Sequence, residues 1–195
     1  MTRWLFSGLM AIALSGFAKA DEPKPVRVVI ETDAGTIEVE LDAARAPRTV
    51  DNFLKYVDAR HYDGGRFHRT VTPANQPDNK VKIEVIQAAI NAETEKVADF
   101  APIKLERTRV TKLSHKDGTI SMARDGPDTA TYEFFICIGD QPELDFGGKR
   151  NPDGQGFAAF GRVVKGMDVV KKIQQSPADG QALKPPVGIK KVTRG

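Results

Sequence analysis

The spacing of apolar residues changes period several times along the chain, and each change marks an element. Val26, Val28 and Ile30 alternate with polar or smaller neighbours, and after Asp33-Ala34-Gly35 the residues Ile37, Val39 and Leu41 alternate with Glu38, Glu40 and Asp42. A period of two predicts a β-hairpin with one buried and one wet face. Over residues 47–57 the period becomes helical: Val50, Phe53, Leu54 and Val57 fall at i, i+3, i+4 and i+7, the stripe of an amphipathic helix packed on a core. Thr49 stands where an N-cap is expected. Strand-like runs recur at 66–71, 81–89, 118–123, 133–138 and 156–164, separated by clusters of Pro, Gly, Asn and Asp that punctuate regular structure. A second helix is expected over 167–175, where Val169, Val170 and Ile173 are apolar, and a last strand over 187–192. Many short antiparallel strands with two helices indicate a closed barrel or sandwich, not a βαβ nucleotide fold. Residues 73–80 and 91–109 are the longest irregular stretches, of a length that is often functional or mobile.

The first twenty residues follow a different logic. Arg3 precedes an apolar run over 4–14, and Ala18-Lys19-Ala20 stands before Asp21, the pattern of a secretory signal with an A-x-A cleavage site. The apolar run is about half the roughly 20 residues that a membrane span needs. The organisation expected is therefore a signal over 1–20, a polar lead-in over 21–25 and one domain over 26–195, with no stable membrane insertion. In a Gram-negative cell the mature chain would begin near Asp21 in the periplasm, where ATP-driven or NAD-driven chemistry is disfavoured.

Charge and composition narrow the classes further. The 195 residues carry 29 basic and 26 acidic side chains, a formal net of +3. Arg3 and Lys19 are the basic residues of the first twenty, so without them 27 basic face 26 acidic residues, a net of +1. That balance lacks the basic excess of a nucleic-acid binder. Cys137 is the single cysteine, which excludes an intramolecular disulfide, a zinc ribbon and a thioredoxin-like pair. No G-x-S-x-G, H-E-x-x-H, G-x-G-x-x-G or Walker-type loop occurs, and the glycines of 145–148 and 153–156 read as turns. His61, His68 and His115 are too dispersed to mark a metal site. Phe134 and Phe135 are adjacent in a strand-like run, so at most one of them faces outward.

Two segments stand out. Phe67-His68-Arg69 follows Tyr62-Asp63-Gly64-Gly65, and Ser121-Met122-Ala123 precedes Gly126-Pro127-Asp128-Thr129 and Glu133-Phe134-Phe135-Ile136. Here the chain resembles the cyclophilin family of peptidyl-prolyl isomerases. Leu144-Asp145 and the run from Phe160-Gly161-Arg162 to Val169-Val170 continue the resemblance in the family's order, so that it covers nearly all of residues 26–193. It implies a mainly β fold, a closed eight-stranded antiparallel β-barrel capped by two α-helices, with a substrate groove on the outer face. It further implies catalysis of rotation about Xaa-Pro bonds in proline-containing polypeptides, without cofactor or metal, by a monomer. Position by position, Arg69 matches the catalytic arginine, Phe135 the floor of the proline pocket and Gln87 the glutamine that supports the arginine. His68, Val85, Ala123, Arg124, Glu133, Leu144 and Phe157 fall on the substrate-binding positions.

The chain also departs from the family pattern. Glu133 stands where the family commonly has glutamine, so this carboxylate either orients Arg69 or holds it away from the prolyl nitrogen. Glu84 and Val85 replace bulky apolar groove residues, Ala88-Ala89 replaces a Gly-Gly pair, and Glu143 replaces an aromatic or other rim residue, which predicts a weaker apolar grip. Residues 73–80 are expected to form an inserted loop beside the groove. A peptide-binding chaperone module on the same barrel is the alternative to an isomerase. A carrier of a small apolar ligand is a third reading, opposed by the filled-core alternation.

Overall fold

The computed structural model describes residues 26–91, 93 and 100–195; the expected signal and lead-in lie outside them. The opening hairpin forms as the alternation predicts, with β1 at Val26–Thr32 and β2 at Gly35–Leu41. The side chains of Val28, Ile30, Ile37, Val39 and Leu41 are fully buried. The other strands are β3 (Arg66–Val71), β4 (Val85–Ala89), β5 (Thr119–Met122), β6 (Phe134–Cys137), β7 (Ala158–Lys165), β8 (Ala178–Asp179) and β9 (Ala182–Arg194). Neighbours run in the order β1-β2-β7-β5-β6-β4-β3-β9, and β9 pairs back onto β1. Eight antiparallel strands therefore close a barrel, and two-residue β8 hangs on the end of β9 as a short hairpin arm.

Helix α1 (Pro47–Asp58) packs on β7 and β9, while α3 (Met167–Gln174) packs on β2, β3 and β4. Between them in sequence is the four-residue α2 (Thr108–Thr111). The helical stripe is buried as expected, but Thr49 is not the N-cap. Ala46 occupies that position without a side-chain bond, and Pro47 takes the first turn, where its missing N–H costs nothing. The cap comes from far along the chain: Glu106 accepts from the backbone N–H of Arg48 (3.2 Å) and Thr49 (2.7 Å) and from the Thr49 hydroxyl (2.6 Å). Part of the irregular stretch over 91–109 thus serves as a cap and, through the Ile103–Ala130 bridge, as a strap.

Two boundaries also move. The strand expected from residue 81 begins only at Val85, because Gln76 satisfies the backbone of Ile83 instead of a neighbouring strand. Its Nε2 donates to the Ile83 carbonyl at 2.6 Å and its Oε1 accepts from the Ile83 N–H at 3.3 Å. The last strand starts at Ala182, five residues earlier than its apolar pattern, since Lys184-Pro185-Pro186 carries no alternation while β9 still pairs with β8, β3 and β1.

Burial separates into two clusters. Phe53, Phe67, Ile86, Ile120, Phe134 and Phe160 belong to the large one, which fills the barrel and seats α1. Among the described residues, these side chains fill the interior that the carrier reading would give to a ligand. The smaller cluster consists of Val71, Ile83, Val85, Phe135, Cys137 and Leu144, with Ala123 and Phe157 packed against it. It lies on the outer side of the sheet and is the apolar part of the site.

Candidate functional site

Strict alternation along β3 would put Phe67, Arg69 and Val71 on one face. The register shifts between them: Phe67 pairs with Ala88, whereas Arg69 pairs with the adjacent Gln87, leaving His68 as an extra residue. The register against β9 is also broken here, but with the surplus in β9: Phe67 faces Val187 and Arg69 faces Ala182, five residues away. A bulge of this kind re-aims side chains. Phe67 and Ala88 enter the barrel core, while Val71 and Val85 join the outer cluster, and Arg69 emerges among them. On β6 alternation holds, so Phe134 points into the barrel and Phe135 outward, opposite Gln87 and Ser121.

The outer residues bound a cleft of about 430 Å³. Phe135 and Leu144, 4% and 1% exposed, form its floor, Ile83, Val85 and Ala123 its apolar walls, and Phe157 stands edge-on to Phe135 at 5.3 Å between ring centres. Beneath Phe135 the His115 ring stacks at 6.0 Å. Its Nδ1 meets Asp145 Oδ1 at 2.7 Å and its Nε2 meets Ser121 Oγ at 2.9 Å. This is a Ser-His-Asp chain, but Ser121 is 0% and His115 1% exposed, so no substrate reaches the hydroxyl. The chain serves to fix the floor of the cleft.

Arg69 is held by neutral amides. Its Nη1 donates to Gln87 Oε1 at 2.8 Å, and its Nε and Nη2 both donate to Gln181 Oε1 at 2.9 and 2.6 Å. Three of five N–H groups are engaged, which leaves one hydrogen on each Nη. Burial, and after it the like charge of Arg150, lower the Arg69 pKa while Glu133 opposes them; a guanidinium remains charged throughout the physiological range. Glu133 does not bond to Arg69. It accepts from Gln87 Nε2, so that carboxylate, amide and guanidinium form a relay in which Gln87 turns its oxygen towards the arginine.

Gln181 has no local sequence signal beyond the Asp179-Gly180 turn before it, and it lies 112 positions from Arg69. It is itself anchored by the segment over 73–80. Gln181 Nε2 donates to the Asn75 carbonyl at 3.2 Å, and Asn75 Nδ2 donates to the carbonyls of Thr70 (3.0 Å) and Gly180 (3.1 Å). The expected insert does lie beside the groove, as a 3-10 turn over Pro73–Asn75, and its first contact is with the residues that hold the arginine.

Of the residues singled out in the sequence, Arg69, Val85, Gln87, Ala123, Arg124, Glu133, Phe135, Leu144 and Phe157 all line the cleft. Arg124 has only 1% of its side chain exposed, and its guanidinium is committed to Asp153 (2.8 and 3.0 Å) and the Gly156 carbonyl (2.9 and 2.7 Å). It braces the loop that carries Phe157. His68 stays beside the cleft without lining it; its Nδ1 is buried with no partner. Burial lowers the His68 pKa, which Glu133 counters and Arg66 and Arg69 reinforce. Glu84 and Glu143 are absent from the walls: Glu84 accepts from Gln174 Nε2 on α3 at 2.9 Å, and Glu143 from the Lys149 backbone at 2.7 Å. Ala88 faces the barrel core. The apolar walls are thus Ile83, Val85 and Ala123. Among the described residues no group of three or more His, Cys, Asp or Glu side chains is arranged to hold a metal ion.

Comparison with known proteins agrees with this geometry. The family model of cyclophilin type peptidyl-prolyl cis-trans isomerases matches residues 27–194. A peptidyl-prolyl cis-trans isomerase of Streptomyces antibioticus is 37% identical over 148 residues, covering 75% of this chain and 82% of its own. Peptidyl-prolyl cis-trans isomerase A of Dickeya dadantii is 35% identical over 175 residues, 89% of this chain and 84% of its own. The crystal structure of a Cryptosporidium parvum cyclophilin shares the fold with a TM-score of 0.69 at 20% identity, covering 88% of this chain and 98% of that one. A barrel matched by one family model almost from end to end, with bacterial relatives above 30% identity over most of both chains, places this chain in the cyclophilin-type peptidyl-prolyl cis-trans isomerase family.

Proposed function

We propose that the protein catalyses cis/trans rotation about Xaa-Pro bonds of unfolded or extended exported polypeptides, with Arg69 as the donor to the prolyl nitrogen and the Phe135 pocket as the seat of the proline ring. The observation that carries this reading is a guanidinium clamped by Gln87 and Gln181 on the wall of the apolar cleft that Phe135 floors.

The chemistry needs no covalent step. Uncatalysed rotation faces a barrier of about 18–20 kcal/mol because amide resonance is lost, and it takes on the order of 10–100 s at 25 °C. As the C–N bond twists, the prolyl nitrogen regains its lone pair. A fixed cationic donor aimed at that nitrogen binds the twisted amide better than either planar form, which is the condition for acceleration. Each tenfold gain requires about 1.4 kcal/mol of that difference. The hydrogens left on Nη1 and Nη2 supply the donor, the amide clamp fixes its direction before substrate arrives, and the apolar walls exclude the water that would screen it.

The pattern of residues 1–20 supports export to the periplasm, and a role in folding exported chains follows from that address. In the peptide-binding alternative Glu133 reduces catalysis, which it would do by holding Arg69 away from the substrate. Glu133 is engaged by Gln87 instead, which favours the isomerase. The test is cis-to-trans exchange of an Xaa-Pro peptide with wild type and Arg69→Ala. Loss of on the order of 10²-fold or more in rate, the effect of removing one preorganised donor, supports the reading, and equal rates reject the site.

A further inference from the structure

A second guanidinium faces the same cleft with its binding edge open. Arg150 lines the wall with Arg69, Phe135 and Leu144. Its Nη1 donates to Gln76 Oε1 at 2.9 Å and to the Val81 carbonyl at 2.8 Å, so the head group is pinned across the cleft to the segment over 73–84. Its base is fixed too: the Arg150 backbone N–H donates to the Glu143 carbonyl at 3.2 Å, and Gly147 donates to the Gly154 carbonyl at 2.8 Å. Gly148 allows that turn, because a Cβ there would lie 2.4 Å from the Glu143 oxygen.

What the pinning leaves open is the edge formed by Nε and Nη2, the pair of parallel N–H groups that takes a carboxylate side-on. In Arg69 the same edge is occupied by Gln181; in Arg150 neither atom has a partner among the described residues. The nearby carboxylates are engaged elsewhere, Glu133 by Gln87 and Asp153 by Arg124. Burial lowers the Arg150 pKa with no anion to offset it, and its charge bears unfavourably on Arg69. The cation is held at both ends, half-buried and without an anionic partner among the described residues, and its open edge is fixed in place for an anion.

We infer that Arg150 forms a carboxylate subsite beside the proline pocket, so that the preferred substrates carry Asp or Glu next to the proline. The inference rests on the isomerase reading of the cleft. A substrate carboxylate bound here would complete the open fork and relieve the repulsion between the two guanidiniums.

The experiment compares Glu-Pro and Pro-Glu peptides with their Gln isosteres, using wild type, Arg150→Gln and Arg150→Lys, by both exchange rate and NMR titration of affinity. Wild type is expected to favour one Glu peptide over its isostere by about tenfold at low ionic strength, as a partly buried bidentate pair gives. The responding register shows on which side of proline the carboxylate sits. The ratio is expected to fall to near unity in Arg150→Gln and to survive in part in Arg150→Lys. Because each ratio is internal to one preparation, partial unfolding or a general loss of rate does not alter it. A wild-type ratio near unity in both registers, or a ratio unchanged in Arg150→Gln, overturns the subsite. Absent turnover on every peptide would count against the isomerase reading alone, since the affinity ratios still judge Arg150.

Discussion

Arg69 points into the cleft because two amide oxygens accept its hydrogens, and the outer of the two is supplied by a turn rather than by the sheet. Gln181 is accordingly a positioning residue. Gln181→Ala is expected to lower kcat about tenfold with little change in KM, since a hydrogen bond to a charged group is worth roughly 1.5–3 kcal/mol. The Arg69 Nε–H resonance in a ¹H–¹⁵N spectrum should exchange faster in the same variant, a signature that a general loss of stability does not give. Glu133 acts one step further out. Glutamine at 133 still offers an oxygen to Gln87 Nε2, so Glu133→Gln should leave kcat within about threefold, the scale of one neutral hydrogen bond. A tenfold rise would show that the carboxylate restrains Arg69 after all. His68 adds a pH dependence. Burial holds its pKa below the ordinary 6.5, so the folded state binds fewer protons than the unfolded chain between those two values. The stability that depends on neutral His68 is complete above about pH 6.5 and is lost as pH falls through the lowered value. Between pH 7.5 and pH 5 the urea midpoint should fall further in wild type than in His68→Gln, and equal falls would show that His68 contributes no such dependence.

At the scale of elements, the site depends on one extra residue in β3. Without the slip at His68, the alternation that sends Phe67 inward would send Arg69 inward with it. The alternation in β1, β2 and α1 was legible because each apolar face is continuous in sequence. The bulge was not, since a two-for-one pairing is decided by the neighbouring strands. The same limit applies to the helix cap. Thr49 had the right residue type near the right place, but the groups that satisfy the α1 amides belong to Glu106, 57 positions away. Glu106→Ala should destabilise the protein by about 1–2 kcal/mol, the value of a lost cap, seen in chemical denaturation, and leave the isomerisation rate per folded molecule unchanged.

Taken as a whole molecule, the barrel separates stability from function by using its two faces differently. Core aromatics fill the interior, and a second, smaller cluster on the outside becomes the cleft. The barrel, the helices and most of the cleft-lining residues could be read from the sequence, because alternation and the ordered resemblance fix which strand each belongs to. Gln181, Asn75 and Arg150 could not, because they come from turns and loops whose paths depend on long-range contacts. The segments over 73–84 and 178–182 hold the guanidiniums of Arg69 and Arg150 in place. The central claim is that a clamped guanidinium turns a proline-binding cleft into a catalyst. Two-dimensional exchange NMR on a proline peptide, with wild type and Arg69→Ala, reads binding and rotation in one experiment. The account predicts that the variant still binds the peptide within a few-fold of wild type through the Phe135 pocket, while catalysed exchange falls by on the order of 10²-fold or more. Exchange at the wild-type rate in Arg69→Ala, with peptide bound, would contradict it.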